Sequence, residues 1–179
     1  MGYLLNELAN LPVDKNVKFY IFVVNGRFRD SLFRTIEENF ASIAKDIGSQ
    51  AVIARGLDAK AFHSQIARAY FGQDGEKFLD LLPALIVTNA HPDNFDEKSV
   101  RLVIPLDGVE DRFGGWANFF RSLTEFVQGK DNSFVKKFEE KDSVLRTAKR
   151  FVSVKPGMFG ISINGDELMN WWLERRNAR

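Results

Sequence analysis

The chain has 179 residues, of which 45% are apolar and 27% charged, and its formal net charge is +1. This balance is ordinary for a globular protein of one domain with an elaboration, and it sets up no global field to draw in nucleic acid or an anionic membrane. There is no cysteine, which excludes a thiolate nucleophile and all thiol–disulfide chemistry.

Two histidines and no cysteine also argue against a structural zinc site, while carboxylates alone leave a magnesium or calcium site open. No cofactor is expected. The start of the chain, Met1-Gly2-Tyr3-Leu4-Leu5, lacks the basic and long apolar regions of a signal peptide. No apolar run is long enough for a spanning helix. Absence of cysteine fits a reducing compartment, so the expected location is cytoplasmic, with no membrane partner.

Residues 2–11 carry Leu4, Leu5, Leu8 and Leu11 at helical spacing, which predicts a short amphipathic helix ended by Pro12. Val17 to Val24 is almost wholly apolar and rich in β-branched and aromatic residues, the pattern of a strand buried on both faces. Asn25-Gly26 breaks it. A helix follows, capped by Asp30 or Ser31, with Phe33, Ile36, Phe40, Ile43, Ala44 and Ile47 on one face and Gly48 as its stop. Ala51 to Ala54 predicts a second strand. Asp58 caps the next helix, which turns Phe62, Ile66, Ala69 and Tyr70 inward and ends at Gly72. Residues 73–80 read as a loop.

Leu81-Leu82-Pro83 leads into a third strand, Ala84 to Thr88, and a polar connection with His91-Pro92-Asp93 reaches a fourth, Val100 to Leu106. Pro105 near its end points to an edge position. An acidic, glycine-bearing loop from Asp107 to Gly115 precedes a helix with Trp116, Phe119, Phe120, Leu123, Phe126 and Val127 on one broad apolar face, stopped by Gly129. Residues 133–149 read as a charged helix with Phe134, Phe138 and Leu145 inward. Phe151 to Val154 and Met158 to Asn164 read as a hairpin around Lys155-Pro156-Gly157-Met158, and Asp166 to Arg176 as a last helix.

The order strand, helix, strand, helix, strand, strand, helix over residues 16–130 resembles the thioredoxin-like superfamily. Two local features carry the resemblance. One is the buried first strand leading through a short loop into a long amphipathic helix. The other is Pro83 directly before the third strand, in Leu82-Pro83-Ala84-Leu85-Ile86-Val87. The resemblance implies a central mixed sheet flanked by helices; the C-terminal hairpin-plus-helix extension read from the residues above lies beyond it. The resemblance also implies that Pro83 is cis and that Leu82 offers the backbone edge that pairs with bound peptide or glutathione. It maps the redox loop of the family onto Arg27-Phe28-Arg29-Asp30, where no sulfur stands. The domain is expected to span residues 1–130, with 131–179 packed on it or on a partner.

Arg27, Arg29 and Asp30 lie between a strand end and a helix start, where an anion is readily held, and where Asp30 is also an ordinary cap. His91 and Asp93 can serve acid–base chemistry, but His-Pro-Asp is ordinary turn chemistry and is read as a turn. His63 reads as a helix-surface or boundary residue. Asp107, Glu110 and Asp111 match no calcium-loop spacing and read as solvated. Trp171 and Trp172 point about 100° apart on a helix, and with Arg175 and Arg176 they have the composition of an interface hot spot.

The favoured reading is therefore a noncatalytic interaction protein that binds another protein or a second copy of itself. No catalytic residue is assigned, and thiol–disulfide oxidoreductase activity is excluded. A second reading is a binder or transferase of a small anionic ligand such as glutathione, using Arg27, Arg29, Asp30 and the Leu82-Pro83 edge. A third is a nucleic-acid module built on the Trp171, Trp172, Arg175 and Arg176 helix, which the near-neutral charge disfavours.

Overall fold

A computed structural model describes residues 1–25, 31–96, 99, 101–130, 133, 134 and 137. Its centre is a five-stranded mixed sheet in the order β1-β3-β2-β4-β5. The strands are β1 (Gly2–Leu5), β2 (Phe19–Val24), β3 (Ala51–Gly56), β4 (Ala84–Thr88) and β5 (Arg101–Pro105). The first three run parallel to one another, and β4 and β5 are each antiparallel to their neighbours. The helices are α1 (Ser31–Asp46), α2 (Ala59–Phe71), α3 (Gly75–Leu79), α4 (Val109–Phe113) and α5 (Trp116–Val127).

The period-two alternation of each strand sorts its side chains into two cores. Phe19, Ile21 and Val23 of β2 join Ile53, Leu85, Val87, Leu102 and Ile104 beneath α1 and α5. Tyr20, Phe22 and Val24 join Val52, Ala54, Ile86 and Val103 beneath α2. Every residue of β2 is buried, as expected of a strand covered on both faces. Ile36 and Ile43 of α1 are buried, as is Ile47 just past its end, with Phe40 and Ala44 packed against the same core. Gln128 Nε2 donates to the Asp46 carbonyl, 2.9 Å away, and so joins the ends of α1 and α5.

Phe134 extends this core. Its ring is fully buried and stacks on Phe126 with centroids 5.3 Å apart. Ser133, Phe134 and Lys137 have helical backbone, in line with the helix expected there. Phe138, Leu145, the hairpin over 151–164 and the helix over 166–176 lie outside the described residues.

Three local expectations are corrected. Residues 2–11 are not a helix: Gly2–Leu5 is a strand and Leu8–Asn10 a short 3-10 turn. The free edge of β3 offers a parallel ladder, with Gly2 beside Ile53 and Leu5 beside Gly56. Burial of Leu5, Leu8 and Leu11 is achieved all the same, against the α2 side, while Leu4 is left 48% exposed. Gly2 is required there, because a Cβ would stand 2.6 Å from that of Ala44. Residues 73–80 form the tail of a 3-10 turn and α3 rather than a loop, because Phe78 is drawn into the core, with its ring stacked on Phe71. The acidic loop contains α4, which buries Val109 and Phe113 between the left-handed Gly108 and Gly114.

Among the described residues, β5, which holds Pro105, is the last strand of the sheet. Its residues are nevertheless all buried.

Candidate functional site

The C-terminal ends of the parallel strands β2 and β3 and the start of β4 meet at one end of the sheet. Val24 faces Ala84 in the antiparallel β2–β4 ladder, so Pro83 falls opposite Asn25, the residue after the strand. The Leu82–Pro83 peptide bond is cis, as the resemblance implies. Pro83 is buried and Leu82 half-buried. The Pro83 carbonyl accepts from Leu106 N–H at 2.9 Å, and Leu82 N–H reaches the Leu79 carbonyl at 3.4 Å. Both groups are therefore engaged within the chain, the second by a long and correspondingly weak bond.

Asn25 closes β2 at this end. Its side-chain oxygen is shut off from solvent and has no hydrogen-bond partner among the described residues. Arg27, Arg29 and Asp30 lie outside the described residues, as do Trp171, Trp172, Arg175 and Arg176. The described chain resumes at Ser31, the first residue of α1.

Sequence reasoning missed Arg55, which reaches the same end of the sheet on the α1 side. Its guanidinium pairs with the Glu37 carboxylate and lies over the Phe40 ring, 5.6 Å from the centroid. Its Nε is buried without a hydrogen-bond partner among the described residues. The available signal was an arginine continuing the apolar run Ala51-Val52-Ile53-Ala54, in a strand longer than the one predicted.

His91 adopts the turn reading. Its ring is 4% exposed. Nδ1 accepts from Asp93 N–H at 3.3 Å, so the neutral ring carries its proton on Nε2 and donates it to the Leu11 carbonyl at 3.1 Å. Both nitrogens are thus occupied by backbone, and the edge of the ring meets Tyr20 at 5.6 Å. The arrangement holds a loop in place and presents no free base. His63 sits at the buried boundary of α2. Asp107, Glu110 and Asp111 are exposed, and among the described residues no group of three metal-ligating side chains is assembled. No described helix is long and apolar enough to cross a membrane.

Comparison with known proteins finds no matching family model, no matching curated protein and no matching solved structure.

Proposed function

We propose that this chain is a noncatalytic thioredoxin-like binding protein, whose partner is another protein or a second copy of itself. One observation carries the reading. The β2–β4 register sets the Leu82-Pro83 dipeptide opposite the end of β2, where the segment 26–30 begins, and that segment has no sulfur. The strand order, with two parallel inner strands followed by an antiparallel pair, supports the same reading. The absence of a thiolate removes the redox step and leaves recognition. Leu82, half-buried beside Pro83, is then the point at which a bound segment meets the sheet.

A photo-crosslinking residue placed at Leu82 in the full chain, in its native cell, tests this. Position 13, where Val13 is 67% exposed just before β2 and therefore away from the Pro83 end, serves as the control. The expected result is a discrete protein adduct from position 82 and none from position 13. An adduct of twice the chain mass identifies a second copy. Failure to form an adduct, together with a rise in melting temperature on adding glutathione, overturns the reading in favour of a small anionic ligand.

A further inference from the structure

Arg101 opens β5 on the α2 side of the sheet, the side shared by Val103. It is only 7% exposed. Its guanidinium carbon lies 4.0 Å from the centroid of the Phe71 ring and 5.7 Å from that of Phe95. Phe71 is itself stacked on Phe78 with centroids 4.2 Å apart and ring planes 16° from parallel, so this wall of the cage is backed by core. The aromatic faces attract a cation but accept none of its N–H groups in the way an oxygen does. Nε is enclosed and has no hydrogen-bond partner among the described residues. Burial pushes the guanidinium down to about 10 while the Asp74 carboxylate pulls it the other way, so the group is charged at neutral pH.

A buried cation with an unmade hydrogen bond is costly, and the missing partner has a defined chemistry. The rings hold the guanidinium by cation–π attraction, which leaves its N–H edge to meet an acceptor. That edge is a planar fork matched to a two-oxygen acceptor. We propose that Arg101 anchors an oxyanion-binding site at the start of β5, in which a carboxylate or phosphate group engages the edge of the guanidinium between Phe71 and Phe95. Both rings are half-buried, so the rim of the cage opens to the surface. Arg101 pairs with Thr88, the last residue of β4, whereas Pro83 precedes the first. The site therefore lies at the opposite end of the sheet from Leu82-Pro83 and stands or falls independently of it.

The test is a titration of the nitrogen-15-labelled full chain, following the arginine Nε–Hε resonances, with the Arg101 signal identified by its absence from Arg101→Lys. Inorganic phosphate and acetate are added separately against sodium chloride at equal ionic strength. The expected result is a saturable shift of the Arg101 Nε–Hε signal and of the Gly72 and Leu102 amides, with the amide shifts lost in Arg101→Lys. Response to acetate alone assigns a carboxylate ligand, and response to phosphate alone assigns a phosphate. Asp74→Asn should move the midpoint to lower anion concentration, because it removes a competing negative charge. A wild-type signal that neither anion shifts, or that chloride shifts equally, overturns the proposal whether or not the Arg101→Lys variant folds.

Discussion

The Nε2 atom of His91 lies 3.1 Å from the carbonyl oxygen of Leu11, eighty residues earlier in the chain. This contact ties the arm before β2 to the connection after β4. The arm is held a second time by Leu8 N–H, which donates to the Gln65 side-chain oxygen on α2 at 2.6 Å. Replacing His91 by Ala removes the donor to a buried carbonyl and the acceptor for Asp93 N–H. The expected loss is about 1–3 kcal/mol, read as a lower urea midpoint. Amide exchange should rise first around Leu8 to Leu11, ahead of the central strands.

Alkali should unfold the protein through Tyr70. Burial raises its phenol far above the ordinary 10.0, and Tyr20 is raised by burial as well. A phenol whose pKa is raised on folding keeps its proton in the native state after the unfolded chain has lost it. The stabilisation is complete below about pH 10 and is lost progressively as pH rises beyond it. Arg101 acts in the opposite sense. Its folded value of about 10 lies below the ordinary arginine value, so between the two the unfolded chain binds more protons and stability gains with pH. Two raised phenols, Tyr70 and Tyr20, act against the one guanidinium, giving net loss of stability above pH 10. Tyr70→Phe forfeits the hydroxyl bond to the Ala90 carbonyl at 3.1 Å, about 1 kcal/mol at neutral pH, yet should show a shallower alkaline decline. An equally steep decline in urea midpoint would assign it to other groups.

Gly56 ends β3 directly against α2. A Cβ there would stand 2.3 Å from the Cβ of Phe62 and 2.5 Å from its Cγ. Those atoms lie at the base of a buried ring and cannot rotate away. Gly56→Ala should therefore cost about 1–3 kcal/mol, measured by thermal or urea unfolding. An unchanged midpoint would show that α2 shifts freely on the sheet.

Asp58 caps α2, its carboxylate accepting from Ala61 N–H at 2.9 Å. Asp58→Ala should lower stability by about 0.5–2 kcal/mol, and Asp58→Asn, which keeps an accepting oxygen, by much less. The side chain is exposed, so the difference between the two variants isolates the cap. Equal losses in urea unfolding would assign the effect to charge rather than to the hydrogen bond.

Insulin reduction by dithiothreitol should proceed at the blank rate with this protein present, because no thiolate can form in a chain without cysteine. Any acceleration that scales with protein concentration would contradict the chemical exclusion.

Where local pattern and tertiary demand agree, the elements are legible in the chain. Phe19–Val24 and Ala84–Thr88 are strands, and α1, α2 and α5 follow the apolar spacing, with Asp58 at the predicted cap. The lack of thiol chemistry is legible too, since composition decides it. Three helical-looking positions, Leu5, Leu8 and Leu11, show the limit. Their spacing states that they are buried together, and they are. It does not state how, because the competing partner is the free edge of β3, about fifty residues away. The same holds for His91 with Leu11, for Pro83 opposite Asn25, and for Arg101 between Phe71 and Phe95. Periodicity reports on neighbours within a turn or a pleat. Pairing register, enclosure of a charge and the partner of a buried polar atom depend on residues distant in sequence, and only the folded chain brings those together.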